Sequence, residues 1–118
     1  MRGKNRTVRA VTLEAKGLLT VKEYPYPELK ENCAIIKMEY SGICGTDKHS
    51  FEGFFEQKGG RPIPLPVIQG HENVGIIEEI KGELLDHDGN KLVVGDRVVP
   101  APNISCGKCF ACRNNRPY

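Results

Sequence analysis

These 118 residues predict a mainly β domain, and three features of the sequence point to it. Short runs rich in Val, Ile, Leu and Thr recur along the chain, separated by glycine- and proline-containing turn signals. A long middle segment carries Pro62, Pro64 and Pro66 in alternation, which suits neither a helix nor a central strand. No stretch repeats apolar residues at helical spacing, so no helix is predicted.

The elements follow in order. Residues 7–13 and 18–23 read as strands around a turn at Lys16-Gly17. Tyr24-Pro25-Tyr26-Pro27 then interrupts the ladder, because proline has no N–H to donate. Residues 33–40 (CAIIKMEY) form a third strand with Ile35 and Ile36 packed and Cys33 expected as a small buried core residue. Residues 51–69 read as loop, opening on Phe51, Phe54 and Phe55 and passing through Gly59-Gly60. Residues 73–80 (NVGIIEEI) resume strand character, and Asp88-Gly89 makes a hairpin turn between Leu84-Leu85 and residues 92–94. An EF-hand reading of that D-x-D-G fails, since neither the glycine nor the closing glutamate falls in register. Gly95-Asp96 turns into a last strand at residues 97–99, ended by Pro100 and Pro102.

Size and composition narrow the function classes. A chain of 118 residues fits one domain, and 39% hydrophobic with 27% charged residues is ordinary for a soluble globular protein. A net charge of +2 with dispersed basic residues gives no general attraction to nucleic acid or to an anionic membrane. Arg2, Lys4, Arg6 and Arg9 make the start basic, but no apolar run follows, so they read as a solvated tail rather than a signal peptide. Five cysteines without a signal peptide argue against a disulfide scaffold and for a reducing compartment, with cytoplasm the expected location.

Two clusters carry chemistry. The first is split between GICGTDKH (residues 42–49) and GHE (residues 70–72), which offer Cys44 and His71 at separate strand ends. Thiolate and imidazole are preferred zinc donors. A buried Cys44 and a His71 that merely opens a strand remain the alternative on these residues alone. The second cluster is C-x2-C-x2-C: Cys106, Cys109 and Cys112. A redox CxxC wants a βαβ unit, a zinc ribbon wants a distant second CxxC, and a ferredoxin run wants another cysteine where Arg113, Asn114 and Asn115 stand. Structural zinc is the reading left. Its fourth donor is not evident, since Cys33 belongs to a strand and His87 to a distant turn.

The ordered set GICGTDKH, GHE, GDRVVP and CGKCFAC resembles the N-terminal part of zinc-dependent alcohol dehydrogenases of the medium-chain dehydrogenase/reductase family, and the resemblance covers nearly the whole chain. It implies a GroES-like partial β-barrel with a structural-zinc lobe beginning at the C-terminus. It implies Cys44 and His71 as ligands of a catalytic zinc, with Glu72 beside the metal and able to enter its coordination. Thr46 offers its hydroxyl to the substrate oxygen, and the proton leaves through His49, which also contacts the cofactor. Asp47 orients His71 as a carboxylate partner. Cys106, Cys109 and Cys112 hold the structural zinc. The substrate is a small alcohol or polyol, the cofactor of the complete enzyme NAD or NADP, and the complete enzyme a homo-oligomer with no nucleic-acid or membrane partner.

Three departures accompany the resemblance. The family's third catalytic-zinc ligand has no counterpart here, no G-x-G-x-x-G dinucleotide fingerprint is present, and the fourth lobe cysteine is expected just beyond Tyr118. Residues 1–118 are therefore expected to be the N-terminal part of the catalytic domain, truncated, without the Rossmann domain and without turnover alone. Partial zinc occupancy of the lobe is expected too. The other reading is a non-catalytic GroES-like module whose zinc only holds the fold. Phe51, Phe54 and Phe55 are expected either at a pocket mouth or packed on the rest of the protein.

Overall fold

The computed structural model describes residues 6–60, 63–103, 105–106 and 108–114, with the side chains of residues 55 and 56 outside that description. The elements are β1 (Thr7–Ala15), β2 (Leu18–Pro25), β3 (Cys33–Gly42), α1 (Gly45–Glu52), α2 (Phe54–Gln57), β4 (Val67–Ile68), β5 (Glu72–Lys81), β6 (Arg97–Val98) and α3 (Phe110–Arg113). The strands form two antiparallel three-stranded sheets, ordered β2-β1-β4 and β3-β5-β6.

The first sheet grows from the hairpin at Lys16-Gly17, where Gly17 takes φ 74°, a conformation that favours a residue without Cβ. Val11 faces Val21, and Leu13 sits between Leu19 on one side and Val67 on the other. Strand β2 runs through Tyr24 to Pro25, two residues further than expected; it lies at the sheet edge, where a terminal proline forfeits no needed ladder bond. The second sheet is built on β3 and β5, paired from Cys33↔Lys81 to Gly42↔Glu72. Residues 84–94 form the expected turn, though only as a single bridge, Leu85↔Lys91, closed by Asp86 accepting the backbone N–H of Asp88 and Asn90.

Leu13 and Ile77 are the fully buried apolar side chains among the described residues, each contributing about 1.5–3 kcal/mol. Thr12 is buried with them and shares a hydrogen bond of 2.7 Å with the Tyr24 hydroxyl. A polar cluster ties the start of β1 to β5: Arg6 pairs with Glu78 at 2.7 Å and lies 4.0 Å over the Tyr26 ring. The Tyr26 hydroxyl donates to Glu78 at 3.0 Å and to Glu79 at 3.1 Å, and partial burial plus these carboxylates push its pKa up to about 12.

Four expectations need correction or limits. Cys33 is exposed, because it opens β3 opposite Lys81 at the far end of the ladder from the core. Arg6 is engaged by Glu78, and Arg9 lies within β1, so neither belongs to a free tail; Arg2 and Lys4 lie outside the described residues. Residues 51–69 are not all loop, since they complete α1, contain α2 and supply β4; Pro62 lies outside the described residues. Helices exist where none was expected, and the cause of α1 is local capping, described below.

Gly75 shows how tightly β5 is gripped. A Cβ there would overlap the Lys37 carbonyl oxygen and stand 2.6 Å from Ile36 Cγ2. Gly75→Ala is expected to cost about 1–3 kcal/mol in urea unfolding. A loss below about 0.5 kcal/mol, the range of a neutral surface change, would contradict this packing.

Candidate metal centre

The β3–β5 register builds the first donor pair. Its last rung is Gly42↔Glu72, and antiparallel strands bring the exit of one and the entry of the other to the same sheet end. Cys44 follows Gly42 by two residues, and His71 immediately precedes Glu72. Their Sγ and Nε2 atoms lie 3.4 Å apart. Zinc bonds of 2.3 Å to sulfur and about 2.0 Å to nitrogen at a tetrahedral angle separate the two donors by about 3.5 Å. The pair fits that metal. Two glycines permit the approach: a Cβ on Gly42 would stand 2.6 Å from Glu72 Oε2, and Gly70 takes φ 106° with Ser41 Oγ 2.7 Å from where its Cβ would be.

Helix α1 positions the remaining groups. Cys44 is its N-cap, with extended φ −102° and ψ 177°. Its sulfur accepts the Thr46 N–H at 3.2 Å, while Asp47 Oδ2 accepts the Cys44 N–H at 2.9 Å. This is a capping box with cysteine in the serine position. Gly53 ends the helix in the left-handed region at φ 67°, and its N–H bonds the Ser50 carbonyl at 3.2 Å. The outcome is a donor group of Cys44, Asp47 and His71 whose ligand atoms all lie within 4.8 Å of one another, each half-buried.

The other expected residues sit around this group. Asp47 bonds the Cys44 backbone, with no hydrogen bond to His71 among the described contacts. Thr46 is exposed on the first turn of α1. His49 is half-buried and stacks on Phe54, ring centroids 4.5 Å apart and planes at 23°. Glu72 is exposed, lies over Gly42, and is not part of the 4.8 Å group.

The second cluster is formed by Cys106, Cys109 and Cys112, again within 4.8 Å of one another. Cys112 Sγ lies 3.8 Å from Cys106 Sγ and 3.4 Å from Cys109 Sγ. Tetrahedral zinc thiolates sit about 3.8 Å apart, so this triad fits zinc too. The backbone N–H of Lys108, then that of Cys109, then the neighbouring thiols lower the Cys106 pKa to about 7. Residues 104, 107 and 115–118 of this lobe, Asn115 included, lie outside the described residues.

A cleft of about 640 Å³ runs between the two sheets up to the first donor group. Val11, Leu19, Met38, Ile43 and Phe51 give it apolar walls, and Asp47 lines it as well. Phe51 therefore lines a pocket and Phe54 packs on His49; the Phe55 side chain lies outside the described residues. No helix among the described residues is long and apolar enough to cross a membrane.

Sequence reasoning missed the capping role of Asp47 and the supporting parts played by Gly42, Gly70, Ser41 and Asn73. The signal for the first was present, since C-x-x-D at residues 44–47 has the capping-box spacing.

Comparison with known proteins decides the family. Residues 30–118 match the model of the alcohol dehydrogenase GroES-like domain. The chain belongs to that family. The GroES-like chain is 34% identical over 110 residues to the L-threonine 3-dehydrogenase of an Escherichia coli O139:H28 strain, covering 90% of itself and 29% of that protein. An alcohol dehydrogenase from Thermotoga maritima superposes with a TM-score of 0.80 at 32% identity, covering 97% of this chain and 30% of that one. A zinc-binding dehydrogenase, so described provisionally, from Sinorhizobium meliloti 1021 bound to NADP gives a TM-score of 0.74 at 34% identity, with 96% and 30% covered. The chain thus spans about 30% of the length of such relatives. Its mainly β arrangement of two unclosed sheets agrees with the partial GroES-like barrel that the motifs implied.

The lowered Cys106 pKa has a measurable consequence. In the metal-free GroES-like chain, carboxamidomethylation of Cys106 should rise with pH around a midpoint of about 7. Peptide mass spectrometry of the alkylated chain reads this directly. Saturating zinc should suppress the reaction, and a Cys106 midpoint near the free-thiol value of about 8.5 would contradict the backbone bonding to its sulfur.

Proposed function

We propose that this chain is the zinc-binding, substrate-side portion of an NAD(P)-dependent dehydrogenase that oxidises the CH–OH group of a small alcohol or polyol. The observation that carries this reading is the Cys44–His71 donor pair, 3.4 Å apart at the closed end of the β3–β5 ladder, with the Asp47 carboxylate beside it. Cys44 and His71 hold the catalytic zinc, with Glu72 close enough in sequence to tune it, and Cys106, Cys109 and Cys112 hold a structural zinc. Zinc supplies Lewis acidity at the substrate hydroxyl and so eases loss of its proton.

The chain's own residues handle that proton and the surroundings. Thr46 stands on the first turn of α1 with its side chain exposed, and its hydroxyl would take the proton of the substrate hydroxyl while passing its own proton on towards His49. His49 lies three residues on, where helical spacing makes it a neighbour of Thr46, and it releases the proton towards solvent. Stacking on Phe54 restricts the His49 ring to a narrow range of orientations. Asp47 pins the Cys44 backbone, so the thiolate enters the site from a fixed direction. A dinucleotide-binding domain would hold NAD or NADP, which would accept the hydride; the Sinorhizobium neighbour is bound to NADP.

Cobalt(II) titration of the reduced chain tests the metal assignments. Two sets of thiolate-to-cobalt absorption bands are expected, one from each cluster. Cys44→Ser should remove one set and leave the lobe set intact, and His71→Ala should weaken the same one by at least tenfold in affinity. If both variants take up cobalt as the parent does, the assignment of the catalytic site is wrong. The zinc-loaded chain alone is expected to show no turnover of alcohols, polyols or L-threonine with either nicotinamide cofactor, measured as absorbance at the reduced-nicotinamide band. Turnover would place a nicotinamide-cofactor binding site within these 118 residues, against this reading.

A further inference from the structure

We infer that Asn73 is a positioning residue for His71, acting through the carbonyl of Gly70; the inference rests on the metal-site reading above. Asn73 Nδ2 donates to Gly70 O at 3.3 Å. That carbonyl belongs to the planar peptide unit joining Gly70 to His71, so fixing its oxygen fixes the His71 nitrogen and Cα as well. The constraint matters because Gly70 has the freest backbone at the site, with φ 106°. Without an anchor, rotation about Gly70 swings the imidazole towards or away from Cys44.

The register explains why Asn73 is in place to do this. Ser41 and Asn73 face each other across β3 and β5, one rung before the closing pair Gly42↔Glu72. Directly opposed side chains share one face of the sheet. Together they form the floor under the turn: Ser41 Oγ is 2.7 Å and Asn73 Oδ1 3.9 Å from the position of a Gly70 Cβ. Both residues also line the cleft. Ser41 fills space under Gly70, whereas Asn73 alone of the two bonds it. The Asn73 amide thus holds the His71 side of the donor pair, as the Asp47 carboxylate holds the Cys44 side.

Two variants separate this role from plain structural support. Asn73→Ala removes the donor, and Asn73→Asp keeps the shape while replacing the donor with an acceptor that faces the Gly70 carbonyl. In both, cobalt affinity at the Cys44/His71 site should fall by about tenfold or more, the loss typical for partners that orient a metal ligand. The cobalt d–d bands of that site should also shift. The lobe bands should keep their affinity, and Ser41→Ala, which leaves the bond intact, should match the parent at both sites. Cobalt binding by both Asn73 variants with parental affinity and spectrum overturns the inference. A parallel loss at the lobe also overturns it, because it signals general loss of structure. His71 ring resonances in the metal-free chain give an independent reading: they should move or broaden in Asn73→Ala, and their invariance overturns the inference. Absence of cobalt at Cys44 and His71 in the parent counts against the proposed function instead, while the metal-free resonances still decide the role of Asn73.

Discussion

The antiparallel pairing of β3 with β5 is the constraint on which the rest of the site depends. Cys44 and His71 are separated by 27 positions, and the length-dependent cost of closing such a loop is about 3 kcal/mol. A single sulfur–imidazole contact does not offset that. Two ten-residue strands do, with net backbone bonds of about 1 kcal/mol each and Ile77 of β5 buried. The ladder also sets direction. A slip of one residue would send every side chain of β5 to the opposite face and move His71 away from Cys44. Gly75 opposes such a slip, because only a residue without Cβ fits against Lys37 and Ile36 at that rung.

The strands were legible in the sequence because alternation and turn residues report directly on half-buried sheet, and β1, β3 and β5 fall where those signals lie. The cysteine triad stood out as a candidate metal site because C-x2-C-x2-C has few other uses, whereas the reading of Cys44 and His71 as ligands and the roles of Thr46, Asp47, His49 and Glu72 leaned on family resemblance. Helix α1 was not legible. It has eight residues, no apolar stripe, and glycines on both sides of its capping cysteine, so neither periodicity nor propensity announces it. Side chain-to-backbone bonds at its first turn create it. Cys33 was misplaced for the opposite reason. Its residue type favours burial, but its place on the first rung of β3 decides its exposure.

The interior is thin for the number of strands. Val11, Met38 and Ile43 keep 53%, 48% and 87% of their surface exposed around the cleft between the sheets. A polar link between the sheets is the Arg6, Tyr26, Glu78 and Glu79 cluster, and exposed ion pairs of this kind add little stability. A further link runs from the β1–β2 turn, where the Gly17 N–H bonds the Phe51 carbonyl at 2.9 Å near the end of α1. Helix α1 is therefore held at its first turn by its own capping box and at its last by the opposite sheet.

The two zinc-compatible clusters differ in how much order precedes the metal. At the first, Cys44 Sγ already accepts an N–H of α1, and sulfur has further lone pairs with which to bind zinc. Capping therefore leaves this sulfur able to serve as a metal donor, and the two uses do not compete. The strand ladder and the Gly70 turn supply His71 independently of any ion. At the second cluster, α3 has four residues, and its N-cap Cys109 makes no side-chain cap bond. Its order comes from three thiols meeting one another and from the Cys109 N–H on Cys106 Sγ at 3.3 Å. Among the described residues this segment has little else to offset its conformational entropy. The first donor group is thus preformed by the strand ladder and the capping box, whereas the second rests mainly on its own three thiols.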